Sequence, residues 1–553
     1  METADVVIAG GGPTGLMLAA ELRLGGADPV VLERMPEISE IPKGNGLVGQ
    51  IVPTLDYRGL TERFAAETTF TGAVPQFPFG PLRLDFSRLG PGMGPLHILA
   101  IPQRRLEQLL DEWLRELGGG VRRGHEVLAM SLRPDGSRSG YESPVTLDVR
   151  GPSGDYRLHA RYVVGCDGAH SLVRKQAGIG FPGVTSSETS RIGRVLLPTV
   201  RLVPNAVAGA AGAGAAEVPG VGRVPLMQTT QTPRGAYSLG PLTALDKNAR
   251  PGMFIVFTRE DDSPVDRDDP MTLDELRESV GRVLGADVPM SDPQWLSRIV
   301  GNSRQAERYR AGPVLLAGDA AHLLGAGGSL NVGMLDAINL GWKLAAQVAG
   351  WAPDGLLDSY HAERHLAGQR ALLQTRAAKA LSAGDEYALA LRELFGELMQ
   401  QPDAVRHVGS IMEGSEVRYP VPGAGGADVA RPHPLAGRFA PDLRLVRPDG
   451  GATRVAELVR PARGVLLEFT GSGSGSGSGG VAEGALAGVA SPWRDRVDVV
   501  ACRPVAEPPP AAAMLIRPDG YVAWAAGPGR ADVAEGLAGG LAEALRTWFG
   551  TPG

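Results

Sequence analysis

The opening of the chain restricts the fold more than any other segment. The apolar run Val6-Val7-Ile8 leads into Gly10-Gly11-Gly12-Pro13-Thr14-Gly15, then into the apolar-periodic stretch Leu16–Leu24 and a second run, Pro29-Val-Val-Leu-Glu33. Run, glycine turn, helix and run make a βαβ unit. Gly10, Gly12 and Gly15 satisfy GxGxxG where the strand passes into the helix, with Pro13 and Thr14 between them. Such glycines let backbone approach a pyrophosphate, and the helix N-terminus favours its charge. Glu33, about twenty residues on, ends the second strand and can bind a ribose hydroxyl. The pattern points to a dinucleotide; the competing reading is a glycine turn that only packs helix on strand.

With 553 residues, 43% of them hydrophobic, the chain can bury more than one core. The net charge of -6 is spread without long basic runs, which argues against a nucleic-acid partner. No basic leader region and no stretch near about 18 uninterrupted apolar residues is present, so no membrane partner and a cytoplasmic address are expected. Cys166 and Cys502 cannot form a CxxC pair or a metal cluster, and both read as reduced and structural.

Farther along, Arg104–Leu117 spaces Leu106, Leu109, Leu110, Trp113 and Leu117 as an amphipathic helix. From about 182 to 299 short apolar runs alternate with Gly and Pro breaks, which suits an antiparallel sheet that covers a cofactor; Ala206–Gly222 within it reads as a mobile loop. Val314–Ala317 reads as a buried strand, and Asn331–Val348 and Leu357–Leu381 as long helices. Beyond about Pro402 the composition turns to Pro-rich turns and short strands. Gly471–Gly480 reads as a flexible linker or exposed loop. Leu515–Trp524 reads as strand, turn and strand around Pro518-Asp519-Gly520.

The choice between FAD and NAD rests on two further strand ends. Val163-Val-Gly-Cys-Asp167-Gly168-Ala-His-Ser171 ends a strand in Asp-Gly, and Leu315-Leu-Ala-Gly318-Asp319-Ala-Ala-His322 ends another in Gly-Asp. A carboxylate at the mouth of a parallel strand can accept from a flavin's ribityl hydroxyls. Either aspartate can instead cap a helix.

With Asn331-Val-Gly-Met-Leu-Asp336-Ala-Ile-Asn339-Leu-Gly-Trp-Lys343-Leu-Ala added, these motifs resemble the p-hydroxybenzoate hydroxylase family of flavin monooxygenases, and within it the polyketide-tailoring aromatic hydroxylases with a C-terminal thioredoxin-like domain. The resemblance implies an α/β fold: a Rossmann-like FAD-binding domain at 1–181 and 300–398, an inserted antiparallel-sheet substrate domain at 182–299 with a contribution from about 55–100, and a thioredoxin-like domain lacking CxxC at 403–553. It implies that Glu33 holds the adenosine ribose, that Arg34 and Gln103 line the FAD, and that Val127 meets the adenine through its backbone. Asp319 would hold the ribityl and pyrophosphate region, and Leu330 and Asn331 would offer backbone amides to the flavin's pyrimidine edge. Gln103 as a helix cap and Arg34 as a solvated side chain are the ordinary alternatives.

Three departures stand out. Lys43 replaces an arginine common at that FAD-facing position, Gln50 stands near where a second arginine is common, and the loop after His322 is shorter and lacks the family's prolines. The resemblance further implies reduction of FAD by transiently bound NADPH or NADH, addition of O₂ to give a flavin C4a-hydroperoxide, and transfer of one oxygen to an electron-rich aromatic substrate. No side-chain acid or base is identified, and His322 reads as structural. A Baeyer-Villiger oxygenase and a non-catalytic flavin-bound protein are the rival readings. The C-terminal domain, without CxxC, is left a packing role or one in a homodimer.

Overall fold

A computed structural model describes residues 2–41, 44, 46–89, 96–132, 144–203, 214–260, 269–325, 328–421, 432–470, 484, 486–506, 508–527 and 534–552. Lys43 and Gly471–Gly480 lie outside them. The opening apolar run forms the strand Glu2–Ala9, buried over its second half and paired in parallel with both Val30–Glu33 and Gly154–Gly165. Val121–Arg123 extends the sheet on one side and Val314–Leu316 on the other, both in parallel. Val145–Gly151 joins antiparallel to Gly154–Gly165, and Glu126–Leu132 pairs antiparallel with Val145–Gly151.

A parallel sheet needs helices over its faces. Pro13–Leu24 follows the first strand directly and packs against Gln103–Glu116 and Ser329–Ala349. Its close approach to the last of these depends on Gly341, where a Cβ would collide with the Glu21 side chain. Gln103–Glu116 buries Leu106, Leu109, Leu110 and Trp113 of the expected stripe together with Leu114, while Leu117, its C-cap, is half-buried. It starts one residue earlier than expected because the extended Pro102 serves as its N-cap.

A second sheet is antiparallel throughout, in the order Thr230–Thr232, Gly235–Pro241, Met253–Glu260, Gly183–Leu196, Ser291–Gln305 and His322–Leu324. Its register sets one face as Val195, Leu239, Phe254 and Val256, which pack with Leu276, Val280 and Val283 of the helix Leu273–Leu284. The opposite face carries Ile192, Arg194, Ser238, Ile255, Phe257, Trp295 and Ser297, all only half-buried. Part of the expected loop 206–222 is strand: Ala215–Val218 pairs with Arg201–Val203 and Gly222–Pro225. Residues 204–213 lie outside the described ones.

The composition change at Pro402 does not mark a change of core. The helices Glu386–Leu398 and Pro402–Glu413 pack with the hairpin Gln76–Phe79 and Leu82–Asp85, around Phe79, Leu84, Phe86, Met399, Val405 and Val408. The C-terminal sheet runs Ala452–Arg454, Arg444–Val446, Val497–Pro504, Gly464–Phe469, Ala513–Ile516, Val522–Ala526, and only its central pair is parallel. Its core reaches back across the molecule, because Trp342 and Ala346 of Ser329–Ala349 pack with Trp493, Trp548 and Phe549. Burying side chains of this size contributes roughly 1.5–3 kcal/mol each. Among the described residues no helix is long and apolar enough to cross a membrane.

Candidate active site

The first glycine turn is shaped by backbone crowding. Gly10 has φ +108° and donates its N–H to Leu32 O at 2.8 Å; a Cβ there would fall on the Cys166 carbonyl. Gly12 is different: a Cβ would meet nothing within 4 Å. That open space sits at the N-cap of Pro13–Leu24, which no side chain caps, so the first-turn N–H groups of Thr14 and Gly15 face it. Pro13 occupies the first helical turn, where its missing N–H costs nothing.

Glu33 accepts the Gly11 N–H at Oε2 and the Met35 N–H at Oε1, each at 2.8 Å. A carboxylate has about four lone-pair positions, so capacity remains for hydroxyl donors. Arg34 beside it is exposed. The His125 N–H donates to Glu33 O at 2.9 Å, which brings half-buried Val127, two residues on, alongside the same strand end. Gln103 is the first residue of its helix rather than the cap. Its N–H donates to Gly44 O at 2.9 Å, and its Nε2 to Glu107 Oε1 at 2.8 Å.

Asp167 divides its two oxygens. Oδ2 caps the helix Leu172–Gln176 by accepting the Leu172 and Val173 N–H groups at 2.7 and 3.1 Å. Oδ1 is buried with no hydrogen-bond partner among the described residues. An acceptor left in that state costs free energy until a donor arrives, so Oδ2 is the helix cap and Oδ1 is left with acceptor capacity unmet. Arg174 links this strand mouth to the second one, donating to Ala320 O at 2.9 Å while its guanidinium lies 3.8 Å over the Phe181 ring. Burial pushes that guanidinium below its ordinary pKa.

The second strand mouth, the glycine turn and the long helix meet at one point. Gly318 has φ +64°, and a Cβ on it would stand 2.7 Å from Thr14 Oγ1. A Cβ on Gly333 would stand 2.7 Å from the same oxygen and 2.9 Å from Gly318 Cα. Asp319 is exposed between buried Gly318 and Ala320. Leu330 and Asn331 lie in the first turn of Ser329–Ala349, whose N-cap, Gly328 at φ +92°, provides no side-chain cap. Asn331 also accepts the Val48 N–H at Oδ1, 3.0 Å away, which ties the 47–48 strand to the site.

Sequence reasoning missed the groups that hold this junction together. Asp336 is fully buried; its Oδ2 accepts the Gly318 N–H at 3.1 Å and lies 2.7 Å from His322 Nε2, and its Oδ1 accepts from Arg364 Nε at 2.7 Å. Burial works to raise the Asp336 carboxyl, but His322 and Arg364 outweigh it and hold it below the ordinary carboxylate range. The sequence signal was slight: Arg364 lies 28 residues beyond Asp336 on another helix. Gln50 is buried, and its Nε2 donates to Tyr521 Oη of the C-terminal unit at 3.1 Å. Its amide is therefore turned to the domain contact, and a cation lost from the flavin side cannot be read from it.

The set suits FAD: an open pyrophosphate cradle, two uncapped helix N-termini, spare acceptor capacity on Glu33 and an orphaned oxygen on Asp167. Among the described residues no group of three or more His, Cys, Asp or Glu could hold a metal ion.

Comparisons with known proteins agree. Residues 3–375 match the family described as FAD binding domain, and residues 433–552 match the C-terminal domain of aromatic-ring hydroxylases. The chain is 41% identical over 555 residues, 99% of each protein, to the 12-dehydrotetracycline 5-monooxygenase/anhydrotetracycline 6-monooxygenase of Streptomyces rimosus subsp. rimosus. It is 36% identical over 556 residues, 99% of this chain and 98% of the other, to a dialkyldecalin synthase of Streptomyces rugosporus. The solved structure of OxyS anhydrotetracycline hydroxylase from Streptomyces rimosus superposes with a TM-score of 0.80 at 38% identity, covering all of both chains. The chain belongs to the FAD-binding aromatic-ring hydroxylase family and is an FAD-dependent monooxygenase acting on an aromatic small molecule.

Proposed function

We propose that this enzyme uses NADPH or NADH and O₂ to hydroxylate a phenolic ring of a polycyclic, polyketide-type substrate. The observation that supports the reading is similarity over 99% of both chains to a 12-dehydrotetracycline 5-monooxygenase/anhydrotetracycline 6-monooxygenase. FAD, when bound, supplies the oxygen activation that no side chain here can. The chain's own residues do the rest. Gly12, Thr14, Gly15, Glu33, Arg34, Lys43, Gln103, Val127, Asp167, Gly318 and Asp319 form the proposed binding set, and the Leu330 and Asn331 amides fix the ring edge. The half-buried sheet face with Ile192, Ile255, Phe257 and Trp295 is a wall on which a planar polycycle can lie and from which it displaces water.

The same reading assigns 1–181 and 300–398 to FAD binding, and 182–299 with about 55–100 to substrate binding. The contacts of Pro402–Glu413 support a start for the thioredoxin-like domain near 433 rather than 403. A parallel central pair flanked by antiparallel strands supports that likeness, while Cys502 alone excludes dithiol exchange within it. One relative is named a synthase, which favours bond formation without oxygen insertion as the second reading. Purified protein reconstituted with FAD and given NADPH, ¹⁸O₂ and a phenolic tetracycle is expected to return a product with one labelled ring hydroxyl. Label in a lactone would assign Baeyer-Villiger chemistry, and an unlabelled rearranged product would assign the second reading.

A further inference from the structure

We infer that the C-terminal domain is a positioning element for the flavin site, acting through Tyr419 and Arg364; this rests on the flavin reading above. Arg364 is buried and directs three donors into the junction. Nε meets Asp336 Oδ1 at 2.7 Å, Nη2 meets Val332 O at 3.1 Å, and Nη1 meets Tyr419 Oη at 2.9 Å. One guanidinium thus grips both the first turn of Ser329–Ala349 and the carboxylate that holds the Gly318 N–H.

Tyr419 is in turn fixed by the C-terminal domain. Its N–H donates to Gly437 O at 2.7 Å, and its ring stacks on Tyr521 with centroids 4.0 Å apart and planes 19° apart. Tyr521 Oη receives the Gln50 amide, and Tyr521 N–H donates to Asp519 Oδ1 at 3.3 Å. The turn that carries Asp519 makes a second linkage to the same long helix. Arg517 donates to Glu363 Oε1 and Oε2 at 2.6 and 2.8 Å, Asp519 Oδ2 accepts from Asn339 Nδ2 at 3.0 Å, and Lys343 Nζ donates to Glu363 Oε2 at 2.7 Å. Arg517, Asp519, Lys343 and Glu363 are each at most 3% exposed.

Adhesion alone does not call for such groups. Trp342, Trp548 and Phe549 already provide an apolar contact between the same two units, and buried ion pairs are often no more stabilising than apolar replacements. What directional buried pairs add is register, since a shift of the helix along its axis strands charges without partners. The helix held in register here is the one whose N-terminus faces the proposed flavin edge, so flavin affinity should depend on C-terminal contacts far from the flavin.

The test measures the FAD dissociation constant of the full chain after removal and return of the cofactor. Tyr419→Phe deletes the acceptor of a buried guanidinium N–H, and about a tenfold weakening of FAD binding is expected. Tyr57→Phe is the control: Tyr57 Oη donates to Ala440 O at 2.8 Å across the same domain contact, and the change removes that bond while leaving the ring, which packs on Phe439, and every hydrogen bond of Arg364 and Asp336 in place. It is expected to lower the melting temperature similarly while leaving FAD affinity within about twofold. Tyr521→Phe, a milder change to the stacked partner, is expected to weaken FAD binding two- to threefold and serves if Tyr419→Phe does not fold. Equal FAD affinities in Tyr419→Phe and Tyr57→Phe, or in Tyr521→Phe and the parent chain, would overturn the inference. A parent chain that takes up no FAD would sink the flavin reading itself.

Discussion

Gly318→Ala probes the point where glycine turn, strand mouth and long helix meet. Two costs add. At φ +64° an alanine carries a left-handed penalty of about 1–2 kcal/mol, and its methyl, 2.7 Å from Thr14 Oγ1, adds an overpacking cost of about 1–3 kcal/mol. Restoring the bound geometry against about 2–5 kcal/mol should weaken FAD binding roughly 30-fold or more. The two costs separate in a Thr14→Ala background, which removes Oγ1 and Cγ2 and leaves Cβ, 3.3 Å from the new methyl. The steric part should disappear there and the backbone part remain, recovering about half the loss. Gly333→Ala supplies the contrast, because its methyl would also stand 2.9 Å from Gly318 Cα, a backbone atom that cannot swing aside, so Thr14→Ala should not rescue it. The assay is quenching of flavin fluorescence on titration of apoprotein, with thermal melts alongside. If Gly318→Ala binds FAD as the parent does, the convergence of Thr14, Gly318 and Gly333 has nothing to do with the cofactor.

Asp319→Ala should lower FAD occupancy with little change in the apoprotein melt. Asp336→Ala should lower both, because it leaves Arg364 and His322 buried without their carboxylate, a loss of about 3–5 kcal/mol; matching melts for the two variants would contradict this. Burial pushes the Glu413 carboxyl up from 4.5 to about 7, so the folded chain holds a proton there that the unfolded chain has released. Stability from this group is full below pH 4.5 and falls as pH rises through about 7; Glu413→Gln should flatten that fall by roughly 1–3 kcal/mol, measured by denaturant unfolding at pH 5 and 8. Deleting Gly471–Gly480 should leave FAD binding and turnover nearly unchanged, since closure entropy depends only weakly on the length of a connection, and a folded but inactive deletion would refute that.

The parts of the fold legible in the sequence are those whose signal is local. Strand, glycine turn, helix and Glu33 all fall within the first 33 residues and signal themselves by period and turn chemistry. The amphipathic Gln103–Glu116 is legible for the same reason. Ala215–Val218 was hidden because its Ala-rich composition reads as loop, and cross-strand pairing rather than propensity makes it a strand. Asp167 reads in the sequence as a choice between capping and ligand binding, whereas a carboxylate has two oxygens: one caps the helix Leu172–Gln176 and the other stays without a partner among the described residues. The grip on Gly318 was out of reach: its links run over 28 residues from Asp336 to Arg364 and 55 from Arg364 to Tyr419, with no period to reveal them.

That distribution bears on what the scaffold can vary. The cofactor junction is crowded to the point that single methyl groups collide, and it is held by buried charges with few alternatives. The sheet face of Ile192, Ile255, Phe257 and Trp295 is half-buried. Ile192, Phe257 and Trp295 lie on antiparallel strands whose pairing is carried by backbone, so substitutions there leave the ladder hydrogen bonds in place. A family that includes both hydroxylases and a synthase is what such a division of labour predicts. On the proposed reading, differences in product among such proteins follow from changes on that face rather than at the glycine junction.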